Sequence, residues 1–179
     1  TGSDTTNKDD GIIRFWTSSG GGNYERMRIL NGGGITFNGD TAAANALSDY
    51  EEGSWTPTVT FDSGSASVAS PVCQYTKIGR LVHICGRFGL TSYSTTSGDF
   101  SIASFPFTVN DEAGDGNSSG IMLYMEAAKS DVGTSIASIP IEGQTRAIFR
   151  RSGTTASGSD LGGYIDADTV FLFGGTYIT

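Results

Sequence analysis

The sequence predicts an all-β protein. Turn-forming residues are abundant: the 179-residue chain contains 26 glycines, and serine, threonine, asparagine and aspartate are also frequent. Between these turns, apolar residues occur in short alternating runs, which is the pattern of half-buried strands. No window of twelve or more residues keeps a helical apolar period. The hydrophobic fraction of 37% is typical of a chain that folds around a core.

Residues 1–39 open with a polar lead-in and continue as a repeated pattern of strand and glycine-rich turn. The strands read IIRFWT, YERMRIL and GITF, and glycine triplets stand at 20–22 and 32–34. Three strands of this length cannot enclose a core by themselves. We therefore expect a β-shaft in which several copies of the chain wrap around one axis and bury their apolar residues together. The alternative is an extra hairpin that packs on the following domain.

Residues 40–55, DTAAANALSDYEEGSW, form the only helix-friendly stretch of the chain. Asp40 or Thr41 is suited to cap one or two helical turns over Ala42–Leu47, and Gly53 to end them. A helix this short is not stable alone, so we expect its apolar residues to anchor it to neighbouring structure. We interpret the segment as a neck.

Residues 56–179 contain strand patterns every eight to fifteen residues, separated by turn sequences such as DSGSAS, KIGR and IEGQ. Many short strands at this spacing favour an antiparallel β-sandwich, jelly-roll-like, as a head domain. The last pattern, TVFLFGGTYIT, is a strand suited to close a sheet. The predicted strands, starting at the end of the neck, are 55–61, 72–77, 80–90, 99–102, 105–109, 119–128, 132–139, 145–151, 163–166 and 168–178.

The charge of the chain limits its partners. With 11 basic and 19 acidic residues the net charge is −8, and the basic residues are scattered. Electrostatics therefore disfavours binding to nucleic acid or to an anionic membrane surface. No run of eighteen apolar residues is present, so we expect no membrane insertion. Because the chain starts at Thr1, we expect it to be a fragment of a longer protein.

The two cysteines, Cys73 and Cys85, lie on predicted neighbouring strands, and nothing else in the sequence suggests a disulfide framework. We expect two buried free thiols. His83 is the only histidine and shares a strand face with Cys85. Residues two apart on a strand are separated by about 7 Å, which is beyond hydrogen-bond reach, so a Cys–His catalytic pair is not expected.

No pattern in the sequence predicts a cofactor or a metal site. The loop that starts at Asp111 departs from a calcium loop at its third position, Ala113, and at its twelfth, Met122. A glycosidase needs two carboxylates at a set separation. The candidates are Asp49, Glu51, Glu52, Asp99 and Asp160, and we interpret the first three as a solvated face of the neck. We therefore expect a protein that is not an enzyme.

Carbohydrate recognition needs less than catalysis, because aromatic rings stack on sugars and neighbouring polar groups bind the hydroxyls. Loops at the end of a sandwich can present both kinds of group. Two aromatic–acidic pairings have this character, Tyr93 with Asp99 and Tyr164 with Asp166. These four residues are the candidate receptor-binding residues, although each is also an ordinary loop or strand residue.

Several long phrases resemble bacteriophage tail fibres and tailspikes near their C-terminal ends. The matching phrases cover the shaft, the neck and the first half of the head: Glu25–Ile29, Asn38–Pro57, Tyr75–Val82 and Gly98–Phe107. The sequence departs from the family pattern at Ser48, Ser54 and Phe105, where the family usually has Asp, Thr and Leu. Beyond about residue 110 the resemblance ends.

The resemblance implies a homotrimer with a thin β-shaft (1–39), a neck (40–55) and a globular head (56–179) at the distal tip of the virion tail, joined to the rest of the phage tail. It supplies the additional copies that the shaft strands need. The trimer interface would then include the apolar residues of shaft and neck, namely Ile12, Phe15, Met27, Ile29, Ile35, Phe37, Leu47, Tyr50 and Trp55.

The predicted function is that of a tail-fibre tip that binds a receptor on the host bacterial surface, a glycan. The alternative is a trimerisation or folding cap of a tailspike in which recognition or polysaccharide hydrolysis is carried out upstream.

Overall fold

The computed structural model of the chain describes residues 11–111, 120–126, 128, 136–151 and 161–179. These ranges form strands and two short 3-10 turns, and the strand pairs are antiparallel, which confirms the all-β prediction. No helix in these ranges has the length and apolar character needed to cross a membrane. The chain divides into two compact units, Thr1–Tyr50 and Glu51–Thr179, so that the division falls inside the predicted neck.

The strands are β1 (Ile13–Ser19), β2 (Gly22–Ile29), β3 (Ile35–Phe37), β4 (Tyr50–Ser54), β5 (Thr58–Ser63), β6 (Ser67–Ile78), β7 (Leu81–Thr91), β8 (Ser97–Ala103), β9 (Ile121–Glu126), β10 (Ile136–Pro140), β11 (Arg146–Arg151) and β12 (Val170–Ile178). Short 3-10 turns occupy Ala43–Asn45 and Gly162–Tyr164.

In the first unit, β1, β2 and β3 form a three-stranded antiparallel sheet with one apolar face. The register places Ile13 beside Ile29 and Ile29 beside Ile35, and it places Met27 between Phe15 and Phe37. The two cross-strand rows therefore carry six apolar side chains on one face. We call this surface the shaft face; its residues are Ile13, Phe15, Met27, Ile29, Ile35 and Phe37.

The opposite face of this sheet carries a shielded ion pair. The pairing of β1 with β2 skips Arg26, and this bulge moves Glu25 onto the same face as Arg28, whereas the strict alternation predicted from the sequence put it beside Met27. The Glu25 carboxylate accepts hydrogen bonds from Arg28 Nε at 2.7 Å and Nη2 at 2.8 Å. These bonds lower the pKa of Glu25. This face also carries Trp16, which pairs with Glu25 and is 54% exposed.

The prediction of a neck helix over Ala42–Leu47 is wrong, because the structure has only the 3-10 turn Ala43–Asn45 in this segment. The Asp40 carboxylate accepts hydrogen bonds from the Ala42 backbone N at 2.8 Å and from Asn45 Nδ2 at 2.7 Å, which folds the chain into a tight loop. Leu47 is then extended, because its backbone exchanges both hydrogen bonds with Ile35. Gly53 ends no helix and lies inside β4.

The second unit is a sandwich of two antiparallel sheets. One sheet has the strand order β10-β11-β8-β5 and the other has the order β4-β6-β7-β12-β9. Alternate residues of both sheets point into a shared core. The largest fully buried side chains of this core are Val82, Ile84, Phe88, Phe100, Ile102, Val109, Phe149, Leu161, Ile165, Phe171 and Tyr177.

A stack of three phenylalanines links the two sheets through the core. Phe171 of β12 lies between Phe88 of β7 and Phe100 of β8, with ring centroids 4.9 Å and 5.0 Å away. Phe100 also contacts Phe61 and Phe149 within its own sheet. Because Phe100 belongs to one sheet and Phe171 to the other, their parallel contact fixes the sheets against each other.

Two predicted strands do not form. Residues 105–109 are irregular because the Tyr177 hydroxyl takes the place of a neighbouring strand: it accepts from Phe107 N at 3.2 Å and donates to Phe107 O at 3.0 Å. Residues 163–166 fall in and after the second 3-10 turn. Conversely, the structure contains a strand within the neck, β4, that was not predicted. The predicted strand 132–139 lies partly outside the described residues.

We predict that Phe100→Ala destabilises the protein by about 3–5 kcal/mol, since it removes a fully buried ring that touches both sheets. Urea unfolding followed by far-UV circular dichroism measures this loss. The control is Ile139→Ala, an exposed position on the outer side of the same sheet, which should cost no more than about 1 kcal/mol. Equal losses in the two variants would contradict the importance of the stack.

Candidate functional site

The structure gathers the predicted receptor-binding residues at one end of the sandwich. The loop between β7 and β8, the start of β8, the end of β11 and the turn after residue 161 are connected there by side-chain hydrogen bonds. We call this region the loop-end cluster; its residues are Tyr93, Asp99, Arg150, Arg151, Tyr164 and Asp166.

Tyr93 holds the cluster together from inside. Its hydroxyl donates to the Ile165 carbonyl at 2.8 Å and accepts from the Thr96 backbone N at 3.3 Å. The Thr96 hydroxyl in turn donates to the Gly162 carbonyl at 2.7 Å. The ring of Tyr93 is half-buried against the core. Tyr93 therefore attaches the β7–β8 loop to the second 3-10 turn, and its hydroxyl is already engaged.

Asp99 is held by a bidentate ion pair on the outer side of the four-stranded sheet. Its carboxylate accepts from Arg150 Nε at 3.0 Å and from Arg150 Nη2 at 2.5 Å. This bond raises the pKa of Arg150. The backbone N of Asp99 donates to Asp62 Oδ2 at 2.9 Å. Asp62 approaches because Gly98, with a φ of +81°, has no side chain in the space that the carboxylate fills.

Tyr164 forms a cation–π contact with Arg151. The guanidinium carbon of Arg151 lies 4.2 Å from the centroid of the Tyr164 ring, and its Nη1 donates to the Tyr164 hydroxyl. Both side chains are half-buried. An aromatic ring beside a guanidinium combines an apolar plane with several N–H donors, which is the chemistry that sugar rings and their hydroxyls require.

Asp166 stabilises a local turn. Its Oδ1 accepts from the Asp168 backbone N at 3.1 Å and from the Thr169 hydroxyl at 3.2 Å. This arrangement is a short aspartate turn, in which the carboxylate replaces a backbone acceptor. Among the described residues no group of three or more His, Cys, Asp or Glu is placed to hold a metal ion. The loop at 111–122 that partly resembles a calcium site lies mainly outside the described residues.

Of the remaining carboxylates considered from the sequence, Glu51 and Glu52 lie on β4. Glu51 accepts a hydrogen bond from the Tyr75 hydroxyl at 2.6 Å, which raises the pKa of Tyr75. Glu52 lines a shallow pocket with Gly53 and Gln74 at the β4 edge. Asp160 lies outside the described residues.

The two cysteines are free, as predicted, but only one of them is buried. Cys73 points into the core, where burial raises the pKa of its thiol to about 11. Cys85 points outward from β7, since Gly86 is the residue opposite Cys73 and Cys85 is the next one along. The two thiols therefore lie on opposite faces of one sheet. His83 shares the outer face with Cys85, as the sequence indicated.

The residues predicted for a trimer interface fall into two groups. Five lie on the shaft face: Phe15, Met27, Ile29, Ile35 and Phe37. Ile12 directly precedes β1, Leu47 bridges Ile35, and Tyr50 is exposed at the start of β4.

Trp55, the last of these predicted interface residues, packs within the head instead. Its ring lies edge-on to Phe105 at 5.7 Å and to Phe173 at 5.9 Å. Its half-burial therefore needs no neighbouring copy.

Arg150 and Arg151 were not singled out from the sequence. Their signal is an Arg pair at the end of an alternating strand, directly before a Gly- and Ser-rich segment. In the structure these two arginines bind two of the four predicted residues, Asp99 and Tyr164.

No family model matches the chain, and no curated protein matches it in sequence. Among solved structures, the chain is similar to the one described as the crystal structure of Dettilon tailspike protein (gp208). The TM-score is 0.61 and the identity 18%, over 72% of this chain and 24% of that chain. The matched region is thus a minor part of the tailspike, and at this identity the similarity is one of fold.

We predict that Tyr93→Phe lowers stability by about 1–2 kcal/mol, because it leaves the carbonyl of the buried residue Ile165 without its donor. Thermal unfolding of the purified chain measures the change. Tyr124→Phe is the matched control, because its ring is 63% exposed and its stability should stay within about 0.5 kcal/mol of the native value. If both variants unfold like the native chain, Tyr93 does not attach the loop.

Proposed function

We propose that this chain belongs to a phage tail fibre or tailspike and binds a glycan on the host bacterial surface as a homotrimer at the distal tip of the virion tail. The fold similarity to a tailspike supports a role in a phage tail. The shaft face supports self-association, and the loop-end cluster supports sugar recognition. The proposed organisation is a trimeric shaft end (1–39), a neck (40–55) and a head (56–179), joined to the rest of the tail.

The observation that carries the proposal is the shaft face. Ile13, Phe15 and Phe37 are each about half exposed, although they stand side by side on one face of a small sheet. A three-stranded sheet needs its apolar face covered to be stable. The opposite face carries the Glu25–Arg28 ion pair together with the exposed ring of Trp16. Three copies that turn their shaft faces to a common axis would cover the apolar side chains and leave the ion pairs outside.

The loop-end cluster supports binding rather than hydrolysis. Tyr164 and Arg151 offer a ring and N–H donors side by side. Asp99 is a hydrogen-bond acceptor held in a fixed orientation, because Arg150 donates two hydrogen bonds to its carboxylate. Three such sites on one trimer would bind a repetitive glycan tightly through effective concentration, even if each site is weak.

A specific observation favours the second candidate, a trimerisation or folding cap. Tyr93, Asp99 and Asp166 all use their polar groups within their own chain. A cluster whose hydrogen bonds are satisfied internally stabilises the end of the head whether or not a sugar binds. In this case recognition or polysaccharide hydrolysis would belong to an upstream part of the protein.

We predict that Phe15→Asp converts a trimer into a monomer, because it places a charge on the apolar shaft face that the proposed trimer would bury. Light scattering gives the mass of each variant in solution. The control is Ser19→Asp at the exposed end of β1, which should keep the mass of three chains. A native chain that is folded and monomeric at all concentrations would contradict the trimer.

We predict that Arg151→Ala and Tyr164→Ala each weaken binding to bacterial cells or arrayed glycans by about tenfold or more, since each removes one partner of the contact between the Arg151 guanidinium and the Tyr164 ring. The control, Arg146→Ala, changes an arginine at the other end of β11 and should bind like the native trimer. A native trimer that binds neither host cells nor any glycan would favour the cap over the receptor-binding tip.

A further inference from the structure

The five-stranded sheet has an outer side that is unusually apolar. Alternate residues of β6, β7, β12 and β9 point away from the core, and several are large and exposed: Met122 is 81% exposed, Val72 70% and Tyr124 63%. We call this surface the outer sheet face; its apolar members are Val72, Ile78, Leu81, Met122, Tyr124 and Leu172. An exposed sheet surface normally alternates to polar residues.

The register arranges these residues in continuous rows. One row runs across four strands from Val72 through Arg87 and Leu172 to Tyr124. The next row runs from Gln74 through Cys85 and Gly174 to Met122. Rows that continue across strands make a single surface rather than scattered exposed side chains.

Gly174 opens a groove in the middle of this surface. Its backbone does not have a positive φ, and a Cβ added there would meet its nearest atom, Cys85 Cβ, only at 3.8 Å. Gly175, by contrast, must be glycine because a Cβ would collide with the backbone of Gly120. The chain itself therefore does not require glycine at 174. Its effect is a hollow lined by Met122, Tyr124 and Leu172, with large exposed side chains beside it.

The charges on the outer sheet face suit a second copy of the same chain. The chain carries a net charge of −8, so two copies repel over most of their surfaces. Among the described residues, the charged groups on the outer side of this sheet are Arg87, Glu126 and, on the adjoining strand β4, Glu52, which lines a pocket with Gln74 and Thr76. Both signs are present, so Arg87 of one copy can face a glutamate of a neighbouring copy.

The area of the outer sheet face indicates how much it can contribute to an interface. Four strands about 4.8 Å apart and four outward residues along each give a plan area of about 400 Å². A stable interface takes about 800 Å² from each partner. The outer sheet face is therefore too small to hold copies together alone, and large enough to add to another contact.

From these observations we propose that the outer sheet face packs against the heads of neighbouring copies and forms a second contact of the homo-oligomer, separate from the shaft face. The exposed Met122 and Tyr124 of one copy would fill the hollow above Gly174 in the next. This inference rests on the proposed self-association and assigns it a surface in the head.

The test compares two glutamate substitutions in the full chain. Met122→Glu changes an exposed residue of the outer sheet face, and Ile139→Glu changes a 41% exposed residue on the outer side of the other sheet. If heads pack through the outer sheet face, Met122→Glu lowers the unfolding temperature of the oligomer by about 5 °C or more, while Ile139→Glu shifts it by no more than about 2 °C. Equal shifts overturn the proposal.

Cys85 gives a second readout because it lies at the centre of the face. Cys73 is buried, and the raised pKa of its thiol makes it unreactive at neutral pH, so a maleimide reports on Cys85 alone. We expect alkylation of Cys85 to be about tenfold slower in the native oligomer than in Met122→Glu, and unchanged by Ile139→Glu. The same rate in all three proteins overturns the proposal. Gly174→Leu, which fills the hollow, should accelerate the reaction like Met122→Glu.

The mass in solution separates this inference from the proposed trimer. If the native chain is a trimer and Met122→Glu behaves like Ile139→Glu, the proposed head contact is overturned and the proposed shaft contact is not. A native monomer overturns both. If the native chain is a trimer, and only the Met122→Glu variant is destabilised and exposes Cys85, both the shaft contact and the head contact are supported.

Discussion

The parallel contact between Phe100 and Phe171 is the interaction on which the head depends. It joins a strand of each sheet at a ring distance of 5.0 Å and so fixes the spacing and alignment of the sandwich. The loop-end cluster follows from this alignment, because its Arg pair comes from one sheet and its turn leads into β12 of the other. The two outer surfaces follow as well, since every residue that alternates with the core must point away from it.

In both units an apolar sheet face has to be covered, and the units differ in how far their own chain covers it. The head has two sheets and can cover an apolar face of each with the other. The unit that ends at Tyr50 has one sheet, and its shaft face is left half exposed within a single chain. The bulge at Arg26 sharpens this difference, because it gathers Glu25 and Arg28 on the side opposite the shaft face.

The fold class, most head strands and five of the six shaft-face residues could be predicted, because alternation along a strand is a local signal; Ile13 occupies the place that was expected for Ile12. The orientation of Glu25 could not, since a bulge depends on pairing with another strand. The prediction of a neck helix was wrong because this segment forms hydrogen bonds with the Asp40 carboxylate and the Ile35 backbone in place of helical ones. The pairing of Tyr93 with Ile165, 72 residues away, has no local signature either. Site residues can thus be proposed from chemistry, but their partners come from topology.

The position of β12 in the chain order has a consequence for biosynthesis. β12 lies between β7 and β9 in the five-stranded sheet, although it is made last of the three. Until it emerges from the ribosome, β9 has no neighbour in that sheet and Phe100 lacks the ring that stacks on it across the core. Folding of the head therefore waits for the synthesis of β12, and the unpaired edges of β7 and β9 are the surfaces most exposed to misassembly until then. Chains translated close together on one message would present these edges to each other before any head is closed.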